Sequence, residues 1–314
     1  LHGYEQWGVD LLQRVRGMFT FVIWDKNKQE LFGARDHFGI KPFYYAKMNG
    51  TFMYASEIKS LLRHPDFVKE LNAEALKPYM TFQYPAIGET FFKGVYKLPE
   101  GHYFTYRDGK MDIHRYYDED FREGKQKLGE LVNSIDQTVC DSVKAHQIAD
   151  VEVGSFLSSG VDSSYVAAVA RPQHTYSIGF GKGTYNESQQ AGELAELLKL
   201  NNTAESLTDE EAFAAFPRIQ WHLDEPDSNP SCVPLYFLSA LAAKDVKVVL
   251  SGEGADELFA GYIDYGVHTK FRPIKVVTRW LTHLPAGARK AIARFCKGKT
   301  FPGAWHLYAN LAPA

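Results

Sequence analysis

The sequence predicts two folds in tandem: an antiparallel α+β half, then an α/β half built on a doubly wound parallel sheet. Up to about residue 118, short runs rich in β-branched and aromatic residues are joined by Asn-Gly and Asp-Gly tips, which is how hairpins read. Beyond about residue 127, apolar strand-like runs alternate with segments of helical spacing, the pitch of βαβ units. Two of those later runs end in loops of small and acidic residues, the position at which such sheets hold ligands.

In chain order, the opening Leu-His-Gly-Tyr-Glu reads as part of a helix. Residues 18–24 (Met-Phe-Thr-Phe-Val-Ile-Trp) form a buried strand bounded by Gly17 and Asp25, and residues 30–34 return as a second strand after the turn at 25–28. Residues 43–46 and 51–55 pair around Met48-Asn49-Gly50. Ser56 is expected to N-cap a short helix through Leu62. Residues 101–106 and 110–116 flank Arg107-Asp108-Gly109 as a further hairpin, and the aromatic-rich stretch 82–96 reads as domain packing. The charged stretch 119–127 reads as a linker, giving domains at 1–118 and 128–314. In the second, apolar residues Leu131, Ile135, Val139 and Val143 mark a helix over 128–149. Strands follow at 151–157, 175–180, 202–207 and 246–250. Helices are expected from near Ser163 to Ala170 and over 187–200, 210–221 and 234–244.

The 314 residues are 45% hydrophobic, enough for two domains with cores of their own. Lys and Arg number 35 against 38 Asp and Glu, a net charge of -3, which argues against a broad grip on nucleic acid or an anionic membrane. The three cysteines, Cys140, Cys232 and Cys296, are scattered and form no CxxC pair, so neither a disulfide framework nor a zinc knuckle is expected, and a cytoplasmic setting is. No apolar run approaches the roughly 20 residues needed to span a bilayer, and no signal-peptide pattern opens the chain. Starting at Leu1 and stopping after Leu-Ala-Pro-Ala, the sequence reads as a piece of a longer protein.

Ser158-Ser-Gly-Val-Asp-Ser-Ser164 follows the strand at 151–157 and leads into a helix, so backbone N–H groups gather at the sheet's carboxyl edge. Ser158, Ser159 and Gly160 are small enough for a phosphate to approach the backbone, and Ser163 and Ser164 carry hydroxyl donors. Asp162 would repel that phosphate unless a cation such as Mg²⁺ bridged the two. The Walker pattern and its lysine are absent. Taken alone, this turn is equally a capped strand-to-helix connection. The second loop, Ser251-Gly-Glu-Gly-Ala-Asp-Glu257, sits at the end of another strand and crowds Glu253, Asp256 and Glu257 together, which is unfavourable without a cation or polar ligand.

The first loop resembles the pyrophosphate loop of the N-type ATP pyrophosphatases, commonly written SGGxDS; Ser159 replaces a glycine, as it does among asparagine synthetases. Joined with the second loop, it resembles the asparagine synthetase family and its close relatives, including β-lactam synthetase. Asp224-Glu-Pro226 and Pro234-Leu-Tyr-Phe237 are similar to that family's segment that helps form the aspartate pocket. Arg35-Asp-His-Phe-Gly-Ile-Lys-Pro-Phe-Tyr-Tyr45, Ala55-Ser-Glu-Ile-Lys-Ser60 and Leu98-Pro-Glu-Gly-His102 resemble the later part of a class II glutamine amidotransferase domain of the Ntn type. Read by themselves, those residues are scaffold, and the lone histidines His37, His174 and His222 read as structural.

The resemblance implies ATP-dependent amidation of aspartate to asparagine through β-aspartyl-AMP, with ammonia from glutamine. It implies pyrophosphate held by Ser158, Ser159, Gly160, Asp162 and Ser163, and adenosine bordered by Leu157, Ile178, Ser251 and Gly252. It further implies Mg²⁺ at Asp162 and Asp256, and Glu253 as the acid tied to the intermediate and to ammonia. The partners implied are small molecules, ATP, aspartate and glutamine or ammonia, without nucleic acid or membrane, and with a homodimer as the candidate assembly. It also places a cysteine nucleophile, an arginine and an Asn-Gly-Glu segment before Leu1, and a lysine beyond Ala314. Competing readings are amidation of another carboxylate, a GMP- or NAD-synthetase-type pyrophosphatase, and a folded piece without turnover. The pyrophosphatase reading lacks an equivalent of the second loop.

Overall fold

The computed structural model describes residues 1–84, 86–120, 124–180, 187–262, 281 and 283–296. The first half carries a short helix α1 (His2–Trp7), then strands β1 (Thr20–Asp25), β2 (Glu30–Arg35), β3 (Tyr44–Met48) and β4 (Thr51–Ala55). Helices α2 (Ile58–Leu61) and α3 (Leu76–Phe82) follow, then β5 (Val95–Lys97), β6 (His102–Arg107) and β7 (Lys110–Arg115). All the strand pairs here are antiparallel, in two sheets of order β1-β2-β6-β7 and β4-β3-β5.

Two hairpin tips, those of β3–β4 and β6–β7, are placed by residues that tolerate positive φ. Asn49 and Gly50 sit at 49° and 82°, and Asp108 and Gly109 at 50° and 76°, as a type I′ turn requires. The two sheets share one core. Phe43, Leu98 and Phe104 are buried together, joined by Val22 and Leu31 from one sheet and Tyr45 and Phe52 from the other. Phe52 stacks on Tyr106 with centroids 4.2 Å apart, and both rings are partly buried against this core.

The buried Arg35-Asp36 pair is held by backbone, in keeping with a scaffold role. The Arg35 guanidinium donates to the carbonyls of Lys41, Leu98 and Gly39, and the Asp36 carboxylate accepts from the amides of Phe38, Ile40 and Lys41. His37 packs edge-on against Phe19, Tyr116 and Tyr117.

The second half opens with α4 (Leu128–His146) and continues with β8 (Val153–Phe156), α5 (Val161–Ala170), β9 (His174–Phe180), α6 (Glu187–Leu198) and β10 (Asn201–Leu207). Then come α7 (Asp209–Leu223), α8 (Cys232–Ala242), β11 (Val248–Leu250), α9 (Ala255–Phe259) and α10 (Ala286–Cys296). The sheet is parallel throughout, ordered β10-β9-β8-β11. From β8 the chain steps outward to β9 and β10, then returns to place β11 on the other side of β8. The order therefore reverses between β8 and β11, the switch point at which an open parallel sheet leaves a crevice beyond its carboxyl ends.

The interior of this sheet is partly polar. Thr175 and Ser177 hydroxyls both bond the Asn202 side chain, Ser177 also donates to the Leu157 carbonyl at 2.7 Å, and Ser155 donates to the Leu250 carbonyl. Ser155, Thr175 and Ser177 are buried, and each is satisfied, as buried hydroxyls must be.

Four expectations need correction. Helix α5 begins at Val161, earlier than near Ser163, so Asp162 and Ser163 already lie in its first turn. Residues 255–257, read as the end of the second loop, lie in the helical turn α9. Ser56 does not cap α2: the N-cap position is Glu57, without a side-chain cap bond of its own. In the aromatic stretch, Phe91 and Val95 are buried as packing requires, whereas Phe82 and Tyr84 are exposed.

Gly33 in the middle of β2 lies directly under Phe104, and a Cβ there would meet the ring at 2.2 Å. Gly33→Val is therefore expected to lower stability by about 1–3 kcal/mol through overpacking, read as a lower urea midpoint with an unchanged slope.

Candidate functional site

The two loops singled out in the sequence continue from the carboxyl ends of β8 and β11, the strands that flank the switch point. By compactness the chain divides into Leu1–Ser159 with Val166–Leu250, and Gly160–Tyr165 with Ser251–Ala314. The second unit contains most of both loops.

Within it, Gly252 lies flat against the start of α5. A Cβ built on Gly252 would stand 2.7 Å from the Ser163 amide nitrogen, 2.8 Å from the Asp162 Cβ and 2.9 Å from the Asp162 carbonyl carbon. Distances below 3.0 Å to backbone atoms leave no room for any side chain. Glycine is thus what allows the Ser251–Glu257 loop to touch the Ser158–Ser164 loop. Gly254, at φ 91°, supplies the left-handed turn into α9.

Asp162 and Asp256 each occupy the first turn of a helix, α5 and α9, and both are half-buried. The Asp256 carboxylate lies against Gly261, leaving no room for a Cβ there. Glu253 is exposed between the two glycines. The Tyr262 hydroxyl donates to Glu257 at 2.7 Å, and its pKa is pushed up to about 12 by that bond, then by desolvation and by the charges of Glu257, Asp256 and Glu253. Three carboxylates thus act on one phenol. Neither Tyr262 nor Gly261 was signalled by the sequence, because neither belongs to a motif that could be read locally.

Among the described residues, no group of three or more His, Cys, Asp or Glu side chains is gathered as a metal cage. Two half-buried carboxylates suit Mg²⁺ nonetheless, since that ion commonly takes one or two carboxylates and completes its shell with phosphate oxygens and water. The Ser163 and Ser164 hydroxyls donate to the Gly160 carbonyl at 3.3 and 2.6 Å, so a phosphate oxygen would compete with that carbonyl for them. Ser158, Ser159 and Gly160 keep the small profile the sequence suggested. Leu157 is different: its side chain is buried with Ala167, Ala191 and Ala195, its amide donates to Tyr176 and its carbonyl accepts from Ser177. Ile178 is half-buried in β9.

Asp224 and Glu225, expected beside an aspartate pocket, are held by the antiparallel half. Asp224 accepts from the Ile58 and Lys59 amides and pairs with the Lys59 ammonium at 3.0 Å. Glu225 accepts from the Phe91 amide and faces Lys97 at 3.8 Å. Cys232 is half-buried, and desolvation followed by the Asp227 charge pushes its thiol up, away from a nucleophilic thiolate. Cys140 is half-buried too, and the Cys296 side chain lies outside the described residues. His174 stacks on Tyr176 and lies 3.6 Å from Glu152, and His222 leans on Tyr236, so both behave as structural residues.

Comparison with known proteins bears on both halves. The family model described as asparagine synthase matches residues 134–312, and that described as glutamine amidotransferase domain matches residues 1–117. The chain is 38% identical over 294 residues to asparagine synthetase (glutamine-hydrolyzing) 1 of Bacillus subtilis (strain 168), covering 92% of this chain and 45% of that protein. It is 30% identical to asparagine synthetase (glutamine-hydrolyzing) 3 of the same organism, covering 83% of this chain and 46% of that protein. Amidase chry2 of Gibberella zeae is also 30% identical, over 82% of this chain and 42% of its own length. The chain spans about half the length of the curated relatives it matches. Among the described residues, no helix is long and apolar enough to cross a membrane.

The Gly252 contact gives a direct test. Gly252→Ala is expected to weaken binding of inorganic pyrophosphate with Mg²⁺ by about tenfold or more, equivalent to roughly 1.4 kcal/mol, as read by isothermal titration. Gly129→Ala, where the added methyl meets open space, is expected to leave it unchanged.

Proposed function

The chain belongs to the asparagine synthase family, and on that premise we propose that the protein it represents converts L-aspartate to L-asparagine at the expense of ATP, using glutamine as the nitrogen source. The observation that carries this reading is the contact between Gly252 and the Asp162–Ser163 backbone. It supports one ligand being shared by the pyrophosphate loop and the acidic loop.

The reaction is an amide synthesis in two transfers. A β-carboxylate oxygen of aspartate attacks the α-phosphorus of ATP, the bond to the β-phosphate oxygen breaks, and pyrophosphate departs from β-aspartyl-AMP. Ammonia then attacks the β-carbonyl carbon, the acyl–oxygen bond breaks, and AMP leaves with asparagine as product. The departing pyrophosphate gathers negative charge, which preorganised donors stabilise best. Ser158, Ser159, Gly160 and Ser163 are the residues we assign to it, with amides at the start of α5 and hydroxyls that exchange the Gly160 carbonyl for phosphate oxygen.

Asp162 and Asp256 would hold Mg²⁺, whose contribution is to neutralise polyphosphate charge. Glu253 has the freedom a proton acceptor needs: it is exposed, and it is flanked by glycines. We assign it to removing the proton from the attacking ammonia nitrogen. Leu157, Ile178, Ser251 and Gly252 border the adenosine in this reading. The antiparallel half is read as the later part of an Ntn-type amidotransferase domain that supplies ammonia, residues 119–127 as the linker between the domains, the assembly as a homodimer and the setting as cytoplasmic.

Glu253→Gln, in a chain completed to the length of its relatives, is expected to abolish asparagine formation from aspartate, ATP and ammonia, a loss of 10²-fold or more, on the order typical of general acid–base groups. Asparagine and pyrophosphate measured together check this, and full retained turnover would remove Glu253 from the chemistry.

A further inference from the structure

The N-cap residue of α2, Glu57, makes no side-chain cap bond, and the partner for the helix start comes from the other half of the chain. Ile58 donates its amide to Asp224 at 2.7 Å, and Lys59 adds its amide at 3.3 Å and its ammonium at 3.0 Å. Lys59 further reaches the His222 carbonyl and Glu57. One residue on, Glu225 receives the Phe91 amide at 3.1 Å and faces Lys97, which itself lies over the Tyr44 ring. The side chains of Asp224 and Glu225 are only 7% and 10% exposed.

Asp224 holds a positive φ of 63° that is unusual for a residue other than glycine, and such outliers persist only where the surroundings impose them. The turn after it is braced as well: Gln220 and Asp227 exchange hydrogen bonds through the Gln220 amide. By contrast, the ion pair between Arg16 and Asp141, which also joins the halves, is exposed on both sides and contributes little.

What these two carboxylates hold matters because of where α2 begins. Ile58 is fully buried in the core of the second antiparallel sheet. Just upstream, Tyr54, Ala55 and Ser56 form part of the wall of a cavity of about 240 Å³ completed by Thr20, Phe21, Val22 and Phe43. The turn between α7 and α8 is thereby fastened to the element that ends this wall.

We propose that Asp224 and Glu225 are positioning residues, a two-carboxylate clamp that keeps the cavity wall of the antiparallel half in register with the parallel-sheet half and so couples ammonia supply to its consumption. The coupling rests on the functional reading above; the clamp itself does not. The two therefore fail separately.

The test has two readouts. In the 314-residue chain, the double variant Asp224→Asn with Glu225→Gln is expected to raise hydrogen exchange at the Ile58, Lys59 and Phe91 amides by about tenfold or more, as loss of charge-assisted bonds predicts. In a chain completed to the length of its relatives, the same variant is expected to lose severalfold more glutamine-driven than ammonia-driven asparagine synthesis, whereas damage to an aspartate pocket would lower both alike. Glutamate released per asparagine formed should rise at least severalfold. Arg16→Ala is expected to move neither readout. Unchanged exchange overturns the clamp, and faster exchange with an unchanged glutamate-to-asparagine ratio overturns the coupling. Should the double variant not fold, Lys59→Met removes the cation alone and faces the same two outcomes. An unmodified completed chain that makes no asparagine from ammonia would instead overturn the functional reading, with the exchange arm still decisive for the clamp.

Discussion

What the second unit can offer a ligand depends on the close approach of Gly252 to the Asp162–Ser163 backbone. Two acidic loops do not come together spontaneously, because carboxylates repel and each exposed peptide would rather face water. Here the Gly252 backbone meets the Ser163 amide, the Asp162 carbonyl carbon and the Asp162 Cβ. A larger residue at position 252 would separate the loops by roughly the width of a methyl group, and a misplacement of about 1 Å is enough to disable a preorganised site.

The sheet of the first unit is fastened at its strand ends. Both loops leave from neighbouring parallel strands, and Leu250 is in register with Ser155. The Ser155 hydroxyl reaching the Leu250 carbonyl, and the Ser177 hydroxyl reaching the Leu157 carbonyl, tie the two strand ends to the sheet. Apolar residues at positions 155 and 177 would pack, but would leave these carbonyl contacts unmade. A net contribution of about 1 kcal/mol per bond matters less here than the direction it fixes for the chain leaving each strand. This explains why a parallel sheet, whose strands normally read as continuous apolar runs, carries a buried row of hydroxyls beside its switch point.

Much of this was legible in the sequence where the cause is local. Asn49-Gly50 and Asp108-Gly109 specify their turns by backbone preference alone, and strand and helix alternation after residue 127 follows from apolar spacing. The small residues of both loops were visible for the same reason, since size is a property of the residue itself. The cap of α2 was not. Ser56 is a good N-cap by type, but the Ile58 amide is met by Asp224, a partner 166 residues distant, and no local pattern encodes that. The early start of α5 belongs here too, because Val161 is highly exposed and gives the apolar pattern no marker for the first turn.

The acidic residues of this chain therefore divide by how their charge is met. Asp224 and Glu225 are nearly enclosed, and burying a carboxylate costs several kcal/mol per ion unless partners offset it; backbone amides, Lys59 and Lys97 do so from the opposite half. Their negative charge is already used by the fold, which makes them poor candidates for receiving a substrate. Asp162 and Asp256 are half-buried at the first turns of helices, where the macrodipole favours a negative charge, and Glu253 is exposed. With Glu257, Glu253 and Asp256 act on the Tyr262 hydroxyl, but that contact satisfies one neutral phenol, not the net charge of the loop. A cation would meet that charge. The motif alone cannot separate a carboxylate that holds the protein together from one that awaits a ligand. The separation comes from burial and from the partners each group has found.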